Sequence, residues 1–109
     1  MNSYKKLIVA RMNPLSANVV ANIFAESDAG ELPRLLGVTH RNLFHFKGLY
    51  FHLFESEREI EPHLVRMREH PLFLDVNTKL ARYISPYDPA TWRGPSDAMA
   101  YEFYSWHSK

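Results

Sequence analysis

Between residues 41 and 54 the chain reads RNLFHFKGLYFHLF, and this short run holds a guanidinium, two imidazoles and a phenol: Arg41, His45, His52 and Tyr50. Histidine is the side chain whose ordinary pKa lets it take or give a proton near neutrality. Arginine is a permanent cation that can hold an enolate or oxyanion as its charge develops. Aromatic neighbours would desolvate such an imidazole and keep it neutral, available as a base. Whether these groups meet depends on the local fold. Lys47-Gly48 lies between two apolar-rich runs, and a two-residue loop carrying glycine predicts a β-hairpin. Phe46 then pairs with Leu49, His45 with Tyr50, Leu43 with His52, and Arg41 with Phe54. Side chains alternate across a strand, so each pair shares a face. One face carries Asn42, Phe44, Phe46, Leu49, Phe51 and Leu53, and reads as an ordinary buried face. The other carries Arg41, Leu43, His45, Tyr50, His52 and Phe54, and reads as the wall of a ligand cavity. His45 sits nearest the turn and is expected in solvent.

Other chemistries find little support. Among the six histidines, His63 and His70 are seven apart, and no H-x-H or H-x-x-x-H spacing occurs. No metal is expected. Ser16, Ser27, Ser56 and Ser105 stand in no nucleophile-elbow motif, and the chain has no cysteine. Its four glycines form no phosphate-cradling pattern, so the residues imply no cofactor. Asp28 reads, on spacing alone, as a solvated helix-end residue.

The elements that must position this hairpin are legible on either side of it. The β-branched run at residues 5–12 predicts a strand, closed by Asn13-Pro14. From Pro14 to about Asp28, Val19, Val20, Ile23 and Phe24 recur at helical spacing. Asn13 is placed to cap that helix and Pro14 suits its first turn. ELPRLLG adds one further turn. Ser56 to Glu59, SERE, matches a capping box and predicts a helix to about Glu69. Pro71 interrupts the pattern, after which Phe73, Val76, Leu80 and Ile84 face inward on a second helical stretch. The Pro-rich connector SPYDPATWRGPSD is long for so small a chain, which marks it as functional or as pinned by Tyr87 and Trp92. Residues 98–107, AMAYEFYSWH, predict a closing strand. The order is β-α-β-β-α-β, the ferredoxin-like α+β arrangement of one four-stranded antiparallel sheet with both helices on one side. The bare sheet face would then call for a homodimer that packs sheet against sheet.

Bulk composition narrows the function classes. With 109 residues the chain is expected to form one domain, 1–109. Thirteen basic against twelve acidic residues give a net charge of +1, too small a field to drive nucleic-acid or membrane binding. The apolar stretch LIVA near the start is too short for a signal-peptide core, and nothing later approaches a membrane span. A cytoplasmic protein is expected.

The segments LIVARMNP, FAESDAGELPRLLGV, LFHFKGLYFHLFES, HPLF and YDPATWRGPSDAMAYEFYSW resemble the small aromatic polyketide cyclases of the tetracenomycin type, with the angucycline and spore-pigment ring cyclases as the nearest relatives. The resemblance runs in one register over almost the whole chain. It implies a ferredoxin-like homodimer, a dimeric α+β barrel, that needs no cofactor. Such a protein takes a partly cyclised poly-ketone from a type II polyketide synthase, with transient contact to synthase components, and closes a later ring by aldol condensation and dehydration. The pocket residues it implies are Asp28, Arg41 and His52. The position before Asp28, a histidine in the tetracenomycin enzyme, is Ser27 here. If Asp28 and Arg41 share a pocket, the Arg41/His52 face must look toward the helices.

On this reading Arg41 stabilises the enolate or the attacked carbonyl, His52 moves the proton, and Asp28 completes the catalytic set. Tyr50, Phe54, Leu43 and Ser27 bind the substrate, the two aromatics by stacking on its rings. Two rival readings accompany it. One is a cofactor-independent monooxygenase of anthrone-like compounds on the same fold, and the other a non-catalytic module that steers polyketide folding.

Overall fold

Residues 4–108 are described by a computed structural model. The β-branched run forms β1 (Tyr4–Met12), and Asn13 turns the chain by accepting the Leu15 N–H on its side-chain oxygen at 2.9 Å. A single 3₁₀ turn at Pro14–Ser16 leads into α1 (Ala17–Asp28), which buries Val20 and Phe24. The short α2 (Leu32–Leu36) follows and ends at Gly37, whose φ of 81° is the left-handed conformation that glycine reaches at least cost. Next come β2 (Val38–Phe46) and β3 (Leu49–Ser56), then α3 (Ile60–Met67), α4 (Pro71–Leu80) and β4 (Ile84–Pro86).

The four strands form one sheet in the order β2-β3-β1-β4, antiparallel throughout. This is the ferredoxin-like α+β arrangement expected from the sequence. The hairpin register is the one its turn requires: Phe46 opposite Leu49, His45 opposite Tyr50, Leu43 opposite His52 and Arg41 opposite Phe54. Lys47 and Gly48 both take positive φ, 50° and 83°, as a turn matched to the right-handed strand twist demands.

The sheet lays one face against the helices. Ala10 and Met12 of β1 and Tyr50, His52, Phe54 and Ser56 of β3 are all buried there. Two apolar clusters lie in the layer between sheet and helices. Leu32, Leu36, Phe54, Ile60, Phe73 and Val76 make one, and Ala10, Met12, Val20, Phe24 and Tyr50 the other. The outward face leaves Phe44 and Phe46 more than half exposed, at 55 % and 60 %.

Three local expectations are corrected. The predicted strand at 98–107 does not form within this chain. Met99 makes one bridge to Ile8, the Ala100 N–H donates to the Leu7 carbonyl at 2.7 Å, and residues 101–108 have no regular structure. Tyr101, Phe103, Tyr104 and Trp106 stand in solvent. β propensity is realised only against a partner strand, and the contact of this run with β1 stops at Leu7 and Ile8, while β4 pairs with Ala10–Met12. The same pairing corrects Ile84, which opens β4 rather than extending the preceding helix; α4 ends at Leu80. Nor does Ser56 cap a helix. It is still paired with Tyr4 and Val38 in the sheet, and its hydroxyl donates to the Arg58 carbonyl at 2.7 Å while α3 begins only at Ile60.

Candidate active site

A cavity of about 450 Å³ lies between the sheet and the helices, a volume suited to a small-molecule ligand. Its floor is the buried sheet face, with Ile8, Ala10, Tyr50, His52 and Phe54. Phe24 and Ser27 of α1, Phe73 and Val76 of α4, and Trp92 and Pro95 of the connector form further walls. The connector is held in place at its start. Arg11 donates from Nε to the Tyr87 carbonyl at 3.1 Å and lies 4.5 Å over the Tyr87 ring.

Arg41 is the centre of the polar part of this wall. Its Nε and Nη2 donate to the two carboxylate oxygens of Asp28 at 2.9 and 2.8 Å, a bidentate pair. Its Nη1 lies 2.8 Å from Nε2 of His52. The guanidinium also sits 4.8 Å over the Phe24 ring. The Arg41 side chain is only 16 % exposed, a partly sheltered cation is costly unless paired and hydrogen-bonded, and the carboxylate of Asp28, 35 % exposed, meets that need from the end of α1. Three of its five N–H groups are thereby used. Two remain for a ligand.

The contact with Arg41 fixes the state of His52. A guanidinium only donates, so Nε2 must be the acceptor and the imidazole proton must sit on Nδ1. Burial drives the pKa of His52 from 6.5 down to about 3, and the neighbouring Arg41 charge pushes it the same way. Phe24 and Phe54 close on the ring, each with its centroid 5.1 Å away. The imidazole is therefore neutral, as the sequence suggests, but its basic lone pair points at Arg41 and not into the cavity. Nδ1–H, with no partner among the described residues, is what it offers a ligand. The site as built is a set of donors.

The structure brings together most of the residues singled out in the sequence. Arg41, His52, Tyr50, Phe54 and Ser27 line the cavity, and Asp28 reaches it through Arg41. Leu43 does not: half-buried, it packs against the core cluster that holds Tyr50 and Met12. His45 is exposed, beyond the cavity. Sequence reasoning missed Phe24. The available signal was its spacing of four from Asp28, which places both on one face of α1. Trp92 was noted only as an anchor for the connector, yet it faces the cavity. Among the described residues no three His, Asp or Glu side chains gather as metal ligands would, and no helix is long and apolar enough to cross a membrane.

Comparison with known proteins agrees with this architecture. An uncharacterised protein of Streptomyces coelicolor is 55 % identical over 101 residues, 92 % of this chain and 91 % of that protein. The tetracenomycin F2 cyclase of Streptomyces glaucescens, a type II polyketide cyclase, is 44 % identical over 104 residues, 95 % of this chain and 94 % of that enzyme. Its solved structure superposes with a TM-score of 0.91 at 43 % identity, covering 97 % of this chain and 99 % of that one. A putative antibiotic biosynthesis monooxygenase from Chloroflexus aurantiacus shares the fold alone. Its TM-score is 0.54 at 12 % identity, over 86 % of this chain and 99 % of that one. Residues 4–107 match the family described as polyketide synthesis cyclase, and the chain belongs to that family.

Proposed function

We propose that this cyclase closes a later ring of a partly cyclised aromatic poly-ketone by intramolecular aldol condensation followed by loss of water, without a cofactor. The observation that carries the reading is Arg41, clamped by Asp28 and His52 on a largely apolar cavity wall with two N–H groups to spare. A methylene between two carbonyls is already acidic, so its enolisation needs modest help. In the ring closure the enolate carbon attacks a carbonyl carbon of the same molecule, and negative charge passes to that carbonyl oxygen. The proton lost from the methylene balances the one gained by the new alkoxide. Elimination of one water then yields the aromatic ring. Arg41 and the Nδ1–H of His52 stabilise the oxygen on which charge resides at each stage, which is the form of catalysis a donor-lined, water-poor wall can give. Asp28 is a positioning residue that holds the guanidinium plane.

Selecting one ring closure among several falls to cavity shape. A flexible poly-ketone held in a single near-attack fold gains the entropic advantage of proximity, and Phe24, Phe54 and Trp92 supply flat apolar surface for rings already formed. The proposal extends to a homodimer in which a second copy covers the outward sheet face and its exposed Phe44 and Phe46, to transient contact with synthase components, and to a cytoplasmic location.

Mass spectrometry of an early aromatic polyketide intermediate incubated with catalytic amounts of the protein tests the reading. The expected product is lighter by one water, with multiple turnovers and equal rates with and without oxygen. A product that gains oxygen only in air would replace the cyclase reading with a monooxygenase. A requirement for one protein per product would replace it with a folding chaperone.

A further inference from the structure

Tyr50 is 3 % exposed, and its ring packs with Val20, Phe24, Ala10 and Met12. A buried phenol normally finds a hydrogen-bond partner. This one makes none among the described residues, although no side-chain nitrogen or oxygen fully sealed from solvent is left without a partner. The two facts are compatible only if the hydroxyl meets open space. Tyr50 lines the cavity, so that space is the cavity. The residue opposite Tyr50 on β1 is Ala10, whose single methyl leaves room where a larger side chain would fill the cavity beside the phenol.

We infer that Tyr50 acts through its hydroxyl, not only through its ring: with Arg41 it forms a two-donor anchor for one oxygen of an aromatic ligand, and it favours ligands that carry a phenolate, enolate or keto oxygen beside a ring. Two neighbours support the pairing. Arg41 lines the same cavity, and His52, which bonds Arg41, has its ring centroid 6.2 Å from that of Tyr50. Burial raises the phenol's pKa well above its ordinary range, outweighing the opposing pull of Arg41, so the hydroxyl stays protonated and donates. A group that donates and does not ionise suits an anchor and not a base.

This inference rests on the cyclase reading for its substrate class, and its test requires no ring closure. Alizarin, a dihydroxyanthraquinone dye whose colour reports its ionisation, serves as the probe with wild-type protein and with Tyr50→Phe. The wild type is expected to bind the dye and to shift its first ionisation to lower pH. Tyr50→Phe keeps the ring, so it should still bind, with about tenfold weaker affinity for the anion, as a hydrogen bond to a charged group contributes. The ionisation shift should shrink in parallel. Thermal stability should be unchanged, because the lost hydroxyl has no partner within the protein. Equal anion affinity and equal shift in the two proteins would overturn the inference. So would a lowered melting temperature in Tyr50→Phe, which would mark the hydroxyl as structural, or failure of the wild type to bind the dye. If the dye results hold and no substrate loses water, the cyclase reading fails and the anchor stands. Intact turnover with no effect of Tyr50→Phe on the dye gives the reverse.

Discussion

The two faces of the β2–β3 hairpin invert the usual rule for a half-buried sheet. Toward the helices, where apolar residues belong, stand Arg41, Tyr50 and His52; toward the outside stand Phe44 and Phe46, more than half exposed. Burying a charge or a polar group costs several kcal/mol unless it is paired, and exposed aromatic clusters invite association. Each face thus serves something besides this chain's own core. The inner face keeps polar groups because it borders a cavity. Its charge is matched by Asp28, and its neutral donors are left for a ligand. The outer face, apolar and bare, is suited to another protein surface.

Removing the inner charge tests that contrast most severely. Arg41→Met should lower kcat by about 10²- to 10³-fold, the usual loss when a principal oxyanion donor is deleted, with native circular dichroism. Arg41→Lys should recover little of it, since an ammonium cannot hold Asp28 with two parallel bonds and reach His52 as well. A Lys variant near wild-type rate would show that charge alone suffices and that the clamp is incidental.

The outer face is broken by Phe44→Glu combined with Phe46→Glu. Light scattering should show a dimer in the wild type and, in the variant, association weakened by about 30-fold or more, the effect of losing a central aromatic anchor. The monomer should keep its melting temperature, because neither ring is part of the core. An unchanged dimer would move the interface elsewhere on the molecule.

What the sequence revealed followed the range of the forces involved. The hairpin, its register and the residues sharing each face were legible because a two-residue turn and strict alternation fix them locally. The choice of inward face was not, since both sets of side chains are largely apolar and only the helices decide it. The fourth strand was misplaced for a related reason. Residues 98–107 alternate like a strand, but the fourth strand is the three-residue segment Ile84–Pro86, too short to show any periodicity. Asp28 was invisible to spacing because its partner lies thirteen residues away across the layer, and only the resemblance singled it out. The protonation of His52 was half legible. Aromatic neighbours foretold a neutral ring, but nothing in the sequence said that Arg41 would occupy its lone pair.

That clamp leads to a smaller effect at Asp28. Asp28→Asn keeps one acceptor for Arg41 and loses the charge that fixes the guanidinium plane. A positioning role predicts about a tenfold loss in kcat/KM, carried mainly by kcat, since the misplaced donor is felt most at the transition state. Loss confined to KM would instead place Asp28 in ground-state binding.

His52 offers the smallest effect on rate and the clearest on pH. If it were a general base, His52→Gln would cost about 10²- to 10⁴-fold, and the wild-type rate would follow its protonation. With its lone pair on Arg41 it is a donor and a spacer. Glutamine can accept from Nη1 and donate from its amide, so the loss should stay below about tenfold. Stability then gives an independent reading. The folded imidazole, at a pKa of about 3, lies below its ordinary 6.5, so between those values the unfolded chain binds the extra proton. The stabilisation is complete above about pH 6.5 and declines as pH falls toward 3, with a limiting slope of about 1.4 kcal/mol per pH unit for one proton. Urea titrations from pH 7 to pH 4 should show the wild type losing stability more steeply than His52→Gln by up to that slope. Parallel curves would mean that His52 takes up its proton in the folded state and that Arg41 yields the lone pair, restoring the imidazole as a base.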